Sequence, residues 1–497
     1  MKFVGIALST FSGVISGIYY FKPQTVSVSV VFLAVIAYML GEGMSLFIPR
    51  KTWLGQFLNP FPFNKKEHVA IVIMASSASI SSMGIEVIAV ERLFYGSKLS
   101  GAISVFLLFS SQFLGYGIAG LMRGVLVYPK NMLWPINLPV NAMLETLHRP
   151  REETRKPLKV FLIVFACIFC WEIVPEWIMP LLTGVSIFCL ANQSSATFTN
   201  IFGGASGDEG LGLFSLSLDW QYISGGSLSP LWFPMDSLIS QGFGILGCIA
   251  LFSACYYGNV WRAQDFPFLA QEIFANTSTA GNPVIWNQNL VIGSDHRINT
   301  EALDILGLPW FSASYAASII ATNMSTTAAF THLCLWYWGD IKAAFTVFHP
   351  SVFRKAFDFR NWSLDFWRDA AVPAQNQDNY DPHYKLITAY KAVPDWWFGL
   401  VLLLSCIIGI TIIYSGHTTL PWWGFVIAIL VGYIFVVFLG SMMAITGVQW
   451  LVQPIVQMIG GYIQPGDPVS NMYFSLYVSP YEDFLFIPNQ NFYDIGL

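Results

Sequence analysis

The sequence predicts an all-α, polytopic membrane protein with about 10–11 spanning helices and room for re-entrant segments. Three observations carry this. The 497 residues are 55% hydrophobic and only 11% charged, where a soluble domain carries about 25% charge. Apolar runs of about 20 residues, enough to cross the bilayer core as a helix, recur along the chain, and mean hydropathy is +0.56. The alternating segments of roughly 10 residues that a membrane β-barrel needs are missing. The 18 Trp and 21 Tyr suit interfacial belts. A net charge of −5 says little about partners when so much surface faces lipid; the bilayer is the expected partner, and nucleic acid is not.

In order, the spans read 3–21, 25–48, 68–90, 101–122, 158–175, 177–192, 235–257, 309–337, 396–414 and 420–440. Residues 441–463 follow as a further span or a re-entrant pair. The first run starts at Phe3 and is followed at once by another, so it reads as a retained span, not a cleavable signal. Pro175 separates the fifth run from the sixth, because proline removes a helix bond. Counting two spans there places most of the 24 Lys and Arg on one side, taken as cytoplasmic together with the N-terminus. The loop 258–308 then lies outside and carries the glycosylation pattern Asn276-Thr277-Ser278; the same pattern at Asn323-Met324-Ser325 falls inside a span. Residues 338–395 read as a cytoplasmic connector with amphipathic parts, within one membrane domain that covers 1–497. The location is a plasma or internal membrane.

The junction between the second and third spans, Leu58-Asn59-Pro60-Phe61-Pro62-Phe63-Asn64-Lys65-Lys66-Glu67-His68-Val69, sets paired prolines beside four ionisable residues. No helix interior tolerates that, so it must be a shaped polar connection. It resembles the Asn-Pro-Gly-Pro-Phe-Asn and Lys-Glu-His signature of the oligopeptide transporter (OPT) family, matched at Asn59, Pro60, Pro62, Phe63, Asn64, Glu67 and His68, with Phe61 where that family has glycine. Further blocks follow in family order: Ile118 to Arg123, Met132-Leu133-Trp134-Pro135-Ile136-Asn137-Leu138, Gly210 to Gly212 with Leu218-Asp219-Trp220, Tyr256 to Trp261, Val393 to Phe398 and Tyr462 to Gly466. The late block departs: Ala444-Ile445-Thr446-Gly447-Val448-Gln449 stands where the family has Ala-Ile-Thr-Asn-Gln-Gln. The family's later spans and its Lys-Ile-Pro-Pro-Arg motif are not in this chain, which reads as a C-terminally short, divergent member of the peptide-transporting branch.

The resemblance implies a secondary transporter that imports small oligopeptides with protons as the coupling ion. No other cofactor, no metal and no enzymatic activity are expected. The alternatives are a carrier of metal chelates or glutathione, or a non-transporting remnant or subunit. The sequence leaves the oligomeric state open.

Within the spans, an ionisable residue costs about 2.5–3.5 kcal/mol and is a functional candidate by default. Glu86 is the first, because Ser79, Ser82, Met83 and Glu86 share one helical face. The bland reading puts it near the membrane end, in water with Glu91 and Arg92. Gln112 and Tyr116, one turn apart, suit a peptide backbone or helix–helix contact equally. The glycine-rich segment 203–220, ending at Asp219 and Trp220, is either an embedded non-helical cradle or a flexible loop. His332 is a proton-relay candidate or an interfacial histidine. Glu172 and Glu176 flank Pro175 and read as hydrated carboxylates whose spacing the proline disrupts. His68, His148 and His383 are too far apart in sequence to suggest a metal site. Cys167 and Cys170 read as core- or lipid-facing side chains. The 59–64 motif reads first as a rigid turn.

Overall fold

The computed structural model describes residues 2–22, 28–48, 55, 62–79, 83–127, 129–130, 132–192, 194–204, 209–223, 233–293, 295–339, 342, 368–369, 391–416 and 418–479. Asn59, Pro60 and Phe61 of the junction, and most of the 338–395 connector, lie outside the described residues.

Among the described residues, the α-helices of five residues or more are, in chain order, α1 (Lys2–Tyr20), α2 (Val30–Phe47), α3 (Lys65–Ser79), α4 (Met83–Leu93), α5 (Gly101–Leu121), α6 (Leu138–Leu147), α7 (Arg151–Ile173), α8 (Ile187–Ala191), α9 (Ala196–Phe202), α10 (Met235–Tyr257), α11 (Thr300–Leu306), α12 (Ala313–Trp336), α13 (Asp395–Ser415), α14 (Trp422–Thr446), α15 (Gln453–Ile463) and α16 (Pro468–Val478). Two short antiparallel pairs are the strands seen among the described residues: β1 (Ile273–Phe274) with β2 (Trp310–Phe311), and β3 (Arg368–Asp369) with β4 (Lys391–Ala392). The all-α membrane fold that the sequence predicts is the fold observed.

Eight segments among the described residues are long and apolar enough to cross a bilayer, fewer than the sequence count. Three stretches account for the difference. The apolar run 177–192 is no continuous helix: a π-turn at Val174–Ile178, a 3-10 turn at Pro180–Thr183 and the five-residue α8 replace it. Pro175 and Pro180 each lack an amide hydrogen, which breaks the ladder twice within one short stretch. The charge count therefore cannot use a regular sixth span here. α15 has 11 residues, about 16 Å of helix, too short to cross. α12 has 24 residues, but its Ser, Thr and Asn dilute its apolar character.

The helices fall into two compact units. The first holds Met1–His148 and Thr326–Leu497, the second Arg149–Ser325. In the first unit, α1 and α3 pack at small residues. Gly13 faces the Ala78 carbonyl, and the buried Ser12 hydroxyl donates to the Ala75 carbonyl at 3.0 Å. Leu8, Leu33, Ala37, Ile71, Val72 and Leu144 form the core there. A larger core gathers α4, α5 and α13–α16 around Leu107, Leu114, Phe425, Val437 and Phe474. The α5–α13 seam is closest at Gly117 and Gly120: a side chain at Gly117 would sit 2.7 Å from Leu402, and one at Gly120 would overlap the Phe398 ring. Arg123 locks this seam. Its guanidinium lies 4.5 Å over the Phe398 ring and donates to the Val393 carbonyl at 3.1 Å. Two sequence blocks of the resemblance, 118–123 and 393–398, thus meet.

Gly447 ends α14 in the left-handed region, φ 75°, and its N–H bonds the Met443 carbonyl. The related motif has asparagine here, the other residue that tolerates this cap, so the departure keeps the backbone shape.

In the second unit, α7 and α10 are long apolar helices with little buried surface. Between α10 and α12 the chain folds on itself around Arg262. Its Nε donates to Asp265 at 2.8 Å, its Nη1 to Asn276 Oδ1 at 2.8 Å, and its Nη2 to the Ser278 carbonyl at 2.9 Å. Asn276 itself is exposed. Since Arg262 holds Oδ1, Nδ2 is the end of the amide available for glycan attachment. Glycosylation at Asn276 decides the side of this loop: in a eukaryotic cell, a larger species that enzymatic deglycosylation or Asn276→Gln reduces to one smaller band places it outside. A band that neither treatment moves counts against placing this loop outside.

Candidate functional site

Asn64 precedes the first turn of α3 and caps it: its Oδ1 accepts from the Glu67 N–H at 3.0 Å, and its carbonyl accepts from the His68 N–H at 3.0 Å. Asparagine at the cap with glutamate three residues on is the spacing of a capping box. Phe63, just before the cap, rests on α2, where a side chain at Gly41 would come within 2.5 Å of its ring. Gly41 is therefore glycine so that Phe63 can seat. Pro62 is exposed at the edge of this arrangement.

The cap fixes where His68 points. His68 is fully buried. Its Nε2 lies 2.8 Å from the Ala34 carbonyl, and its Nδ1 lies 2.9 Å from Nε2 of His148, just beyond the end of α6. Tyr38 and Phe63 close around both imidazoles, with ring centroids 5.4–6.2 Å apart. Lys65 pairs with Glu145 of α6 at 3.1 Å beside them. The 80 residues between the histidines hide this pair from a sequence reading that treats them as isolated. A separation of 2.9 Å is a hydrogen bond between rings. Burial pushes the His148 imidazole below its ordinary value; Lys65 adds to this and Glu42 opposes it.

The second polar centre is Glu91. Read from sequence as hydrated at the membrane end, it is instead buried, with 3% exposure, in the larger core. The Tyr473 hydroxyl of α16 donates to its Oε1 at 2.7 Å. One turn on, the Tyr477 and Ser110 hydroxyls lie 3.4 Å apart. Asp467 caps α16, accepting from the Ser470 N–H and the Thr419 hydroxyl, each at 2.9 Å. Burial and the Asp467 charge raise the nearby Tyr95 phenol. The sequence reading stopped its last span at 463 and missed α16 with both tyrosines. The signal was there: Asp467 followed by Pro468 is a helix start.

Glu86, the first sequence candidate, is half-buried and accepts a hydrogen bond from the Tyr20 hydroxyl of α1. Gln112 and Tyr116 are half-buried on α5. His332 is exposed on α12 beside Trp336 and Tyr337. Trp134 adopts the left-handed region, φ 48°, and is buried, with its N–H on the Ala444 carbonyl at 2.8 Å and its indole on the Leu126 carbonyl at 3.0 Å. Those two bonds hold a conformation that costs a non-glycine residue about 1–2 kcal/mol. Pro135 then starts a single turn ending at the buried Asn137, whose Nδ2 has no partner among the described residues.

Asp219 belongs to the second unit. It is buried there, and its carboxyl lies within 4.8 Å of those of Glu172 and Glu176. Pro175 does not part the two glutamates as the spacing argument expects. The Met179 N–H reaches the Val174 carbonyl at 2.8 Å, a five-residue bond that keeps both on one side of the wider turn. The Trp220 N–H donates to Glu172 at 2.9 Å. In the glycine-rich segment, the amides of Gly203, Leu211, Gly212 and Leu213 already bond nearby carbonyls, so those four are not free to cradle a ligand. Asp208 and its neighbours 205–207 lie outside the described residues.

The chain matches the family model described as OPT oligopeptide transporter protein over residues 1–480. It is similar to Oligopeptide transporter 7 of Arabidopsis thaliana, 29% identical over 92% of this chain and 57% of that protein. It is similar to Oligopeptide transporter phomP2 of Diaporthe leptostromiformis, 28% identical over 93% of this chain and 53% of that protein. It is also similar to the sexual differentiation process protein isp4 of Schizosaccharomyces pombe, 27% identical over 95% of this chain and 57% of that protein. The chain therefore spans little more than half the length of these relatives. No solved structure matches it.

Proposed function

This chain belongs to the OPT oligopeptide transporter family, and from that premise we propose that it carries small peptides across a bilayer as a secondary transporter driven by protons. The family match along residues 1–480 carries the reading. Relatives named oligopeptide transporters support the cargo, and the eight membrane-crossing segments support the setting. A secondary carrier needs a group whose charge changes during the cycle and whose two states favour different conformations. Glu91, a buried carboxyl that accepts from the Tyr473 hydroxyl, meets that need better than the half-buried Glu86. Protonation would remove the cost of a buried charge, and deprotonation would restore it.

The test is uptake of a labelled small peptide into vesicles holding the purified chain, with the outside at about pH 5.5 and about pH 7.5 to straddle ordinary histidine and carboxyl titration. Peptide uptake that rises on the acid side is expected. Uptake of glutathione or a metal chelate in place of the peptide overturns the cargo. No uptake of any of the three by correctly inserted protein overturns the carrier reading.

A further inference from the structure

The His68–His148 contact has a defined proton inventory. A carbonyl oxygen only accepts, so His68 Nε2, facing the Ala34 carbonyl, carries a hydrogen. In neutral His68 the Nδ1 is then bare, and His148 must supply the hydrogen in the 2.9 Å contact through its Nε2. This leaves Nδ1 of His148 as the ring nitrogen able to take a proton without disturbing the pair. A second proton could go only to His68 Nδ1, where it would set two N–H groups against each other across 2.9 Å.

We infer that the His68–His148 pair is a proton-binding latch that keeps α2, α3 and the end of α6 together while it holds no more than one added proton, and opens on the second. The reading stands apart from peptide transport. Three elements meet at the latch: Ala34 and Tyr38 of α2, His68 of α3 and His148 after α6. The titratable and charged groups around it are Tyr38 and Glu42 on α2, Lys65 and Glu67 on α3, and Glu145 on α6. Lys65 opposes protonation of His148 and Glu42 favours it. Burial also opposes it, so the folded protein binds fewer protons than the unfolded chain just below the ordinary histidine value near 6.5. Stability from this site is thus present above that value and is lost as pH falls. His148 is also the last residue of the first unit's N-terminal segment; at Arg149 the chain enters the second unit.

The experiment compares the thermal unfolding midpoints of wild type, His148→Gln and His332→Gln in detergent at about pH 7.5 and about pH 5.5. A glutamine amide can still donate to His68 Nδ1 but cannot take up a proton. Wild type and the exposed-site control His332→Gln are expected to lose about 3 °C or more on acidification, and His148→Gln to lose clearly less. A His148→Gln midpoint that falls as far as wild type overturns the latch, as does a flat wild-type profile. Histidine C2-proton exchange on unaltered protein gives an arm that needs no variant. The pair is expected to take up its two protons in separate steps; a single shared step overturns the proposal.

Discussion

Gly120→Leu is expected to cost about 3 kcal/mol, the upper end for overpacking, and to leave little folded protein. The reason lies in the seam between α5 and α13. Even the first carbon of a side chain at Gly120 would overlap the Phe398 ring. That ring cannot swing aside cheaply, because Arg123 lies 4.5 Å above it and is itself tied to the Val393 carbonyl. The backbones would have to separate, which would also loosen Gly117 from Leu402. Gly43 is the matched control: a side chain there meets nothing within 4 Å. Gly43→Ala is expected to be neutral or to stabilise by about 0.5–1 kcal/mol through helix propensity. The measurement is the folded fraction by size-exclusion chromatography together with the thermal midpoint. A Gly120→Leu protein that matches wild type on both would show that the seam is not tight.

Glu91→Gln is expected to lower proton-driven uptake at least about tenfold, a change of about 1.4 kcal/mol, while leaving the fold close to wild type. Glutamine keeps an oxygen for the Tyr473 hydroxyl at the same place, so the 2.7 Å contact survives without a titrating group. Tyr473→Phe separates structure from coupling in the other direction. It removes one donor from a carboxyl with 3% exposure and is expected to cost about 1–3 kcal/mol of stability. Glu86→Gln, at a half-buried position, is expected to change uptake less. Uptake and its pH dependence unchanged in Glu91→Gln would remove this residue from the coupling step. Loss in Glu86→Gln alone would return the role to the residue the sequence put first.

The long helices were legible because composition and punctuation agree. The run 235–257 is α10 to the residue, and 101–122 differs from α5 by one. Ambiguity arose where apolar composition hid local breakers. Residues 177–192 are apolar enough to pass for a span, yet Pro175 and Pro180 divide them into single turns. The Asn64 cap was readable in principle from its spacing to Glu67, a relation confined to one helical turn. The polar centres were not readable in that way. Glu91 is buried by Tyr473, 382 residues away, and His68 meets a partner 80 residues away. Position along one helix says nothing about which later segment will cover it. That is why Glu91 passed for a hydrated residue and the histidines for isolated ones.

The distance from Glu91 to Tyr473 also sets an order of assembly. A ribosome adding about 5–20 residues per second needs about 20–75 s to make the 382 residues that separate them. Until Tyr473 is made, α4 stands without the helix that buries the carboxyl, and until Phe398 is made, α5 stands without the partner for Gly120. The second unit, Arg149–Ser325, is one continuous piece of chain made entirely within that interval. It can complete its own contacts first, and the earlier-made unit closes last. An interruption of synthesis after Ser325 would therefore leave Glu91 without Tyr473 in a half-built bundle.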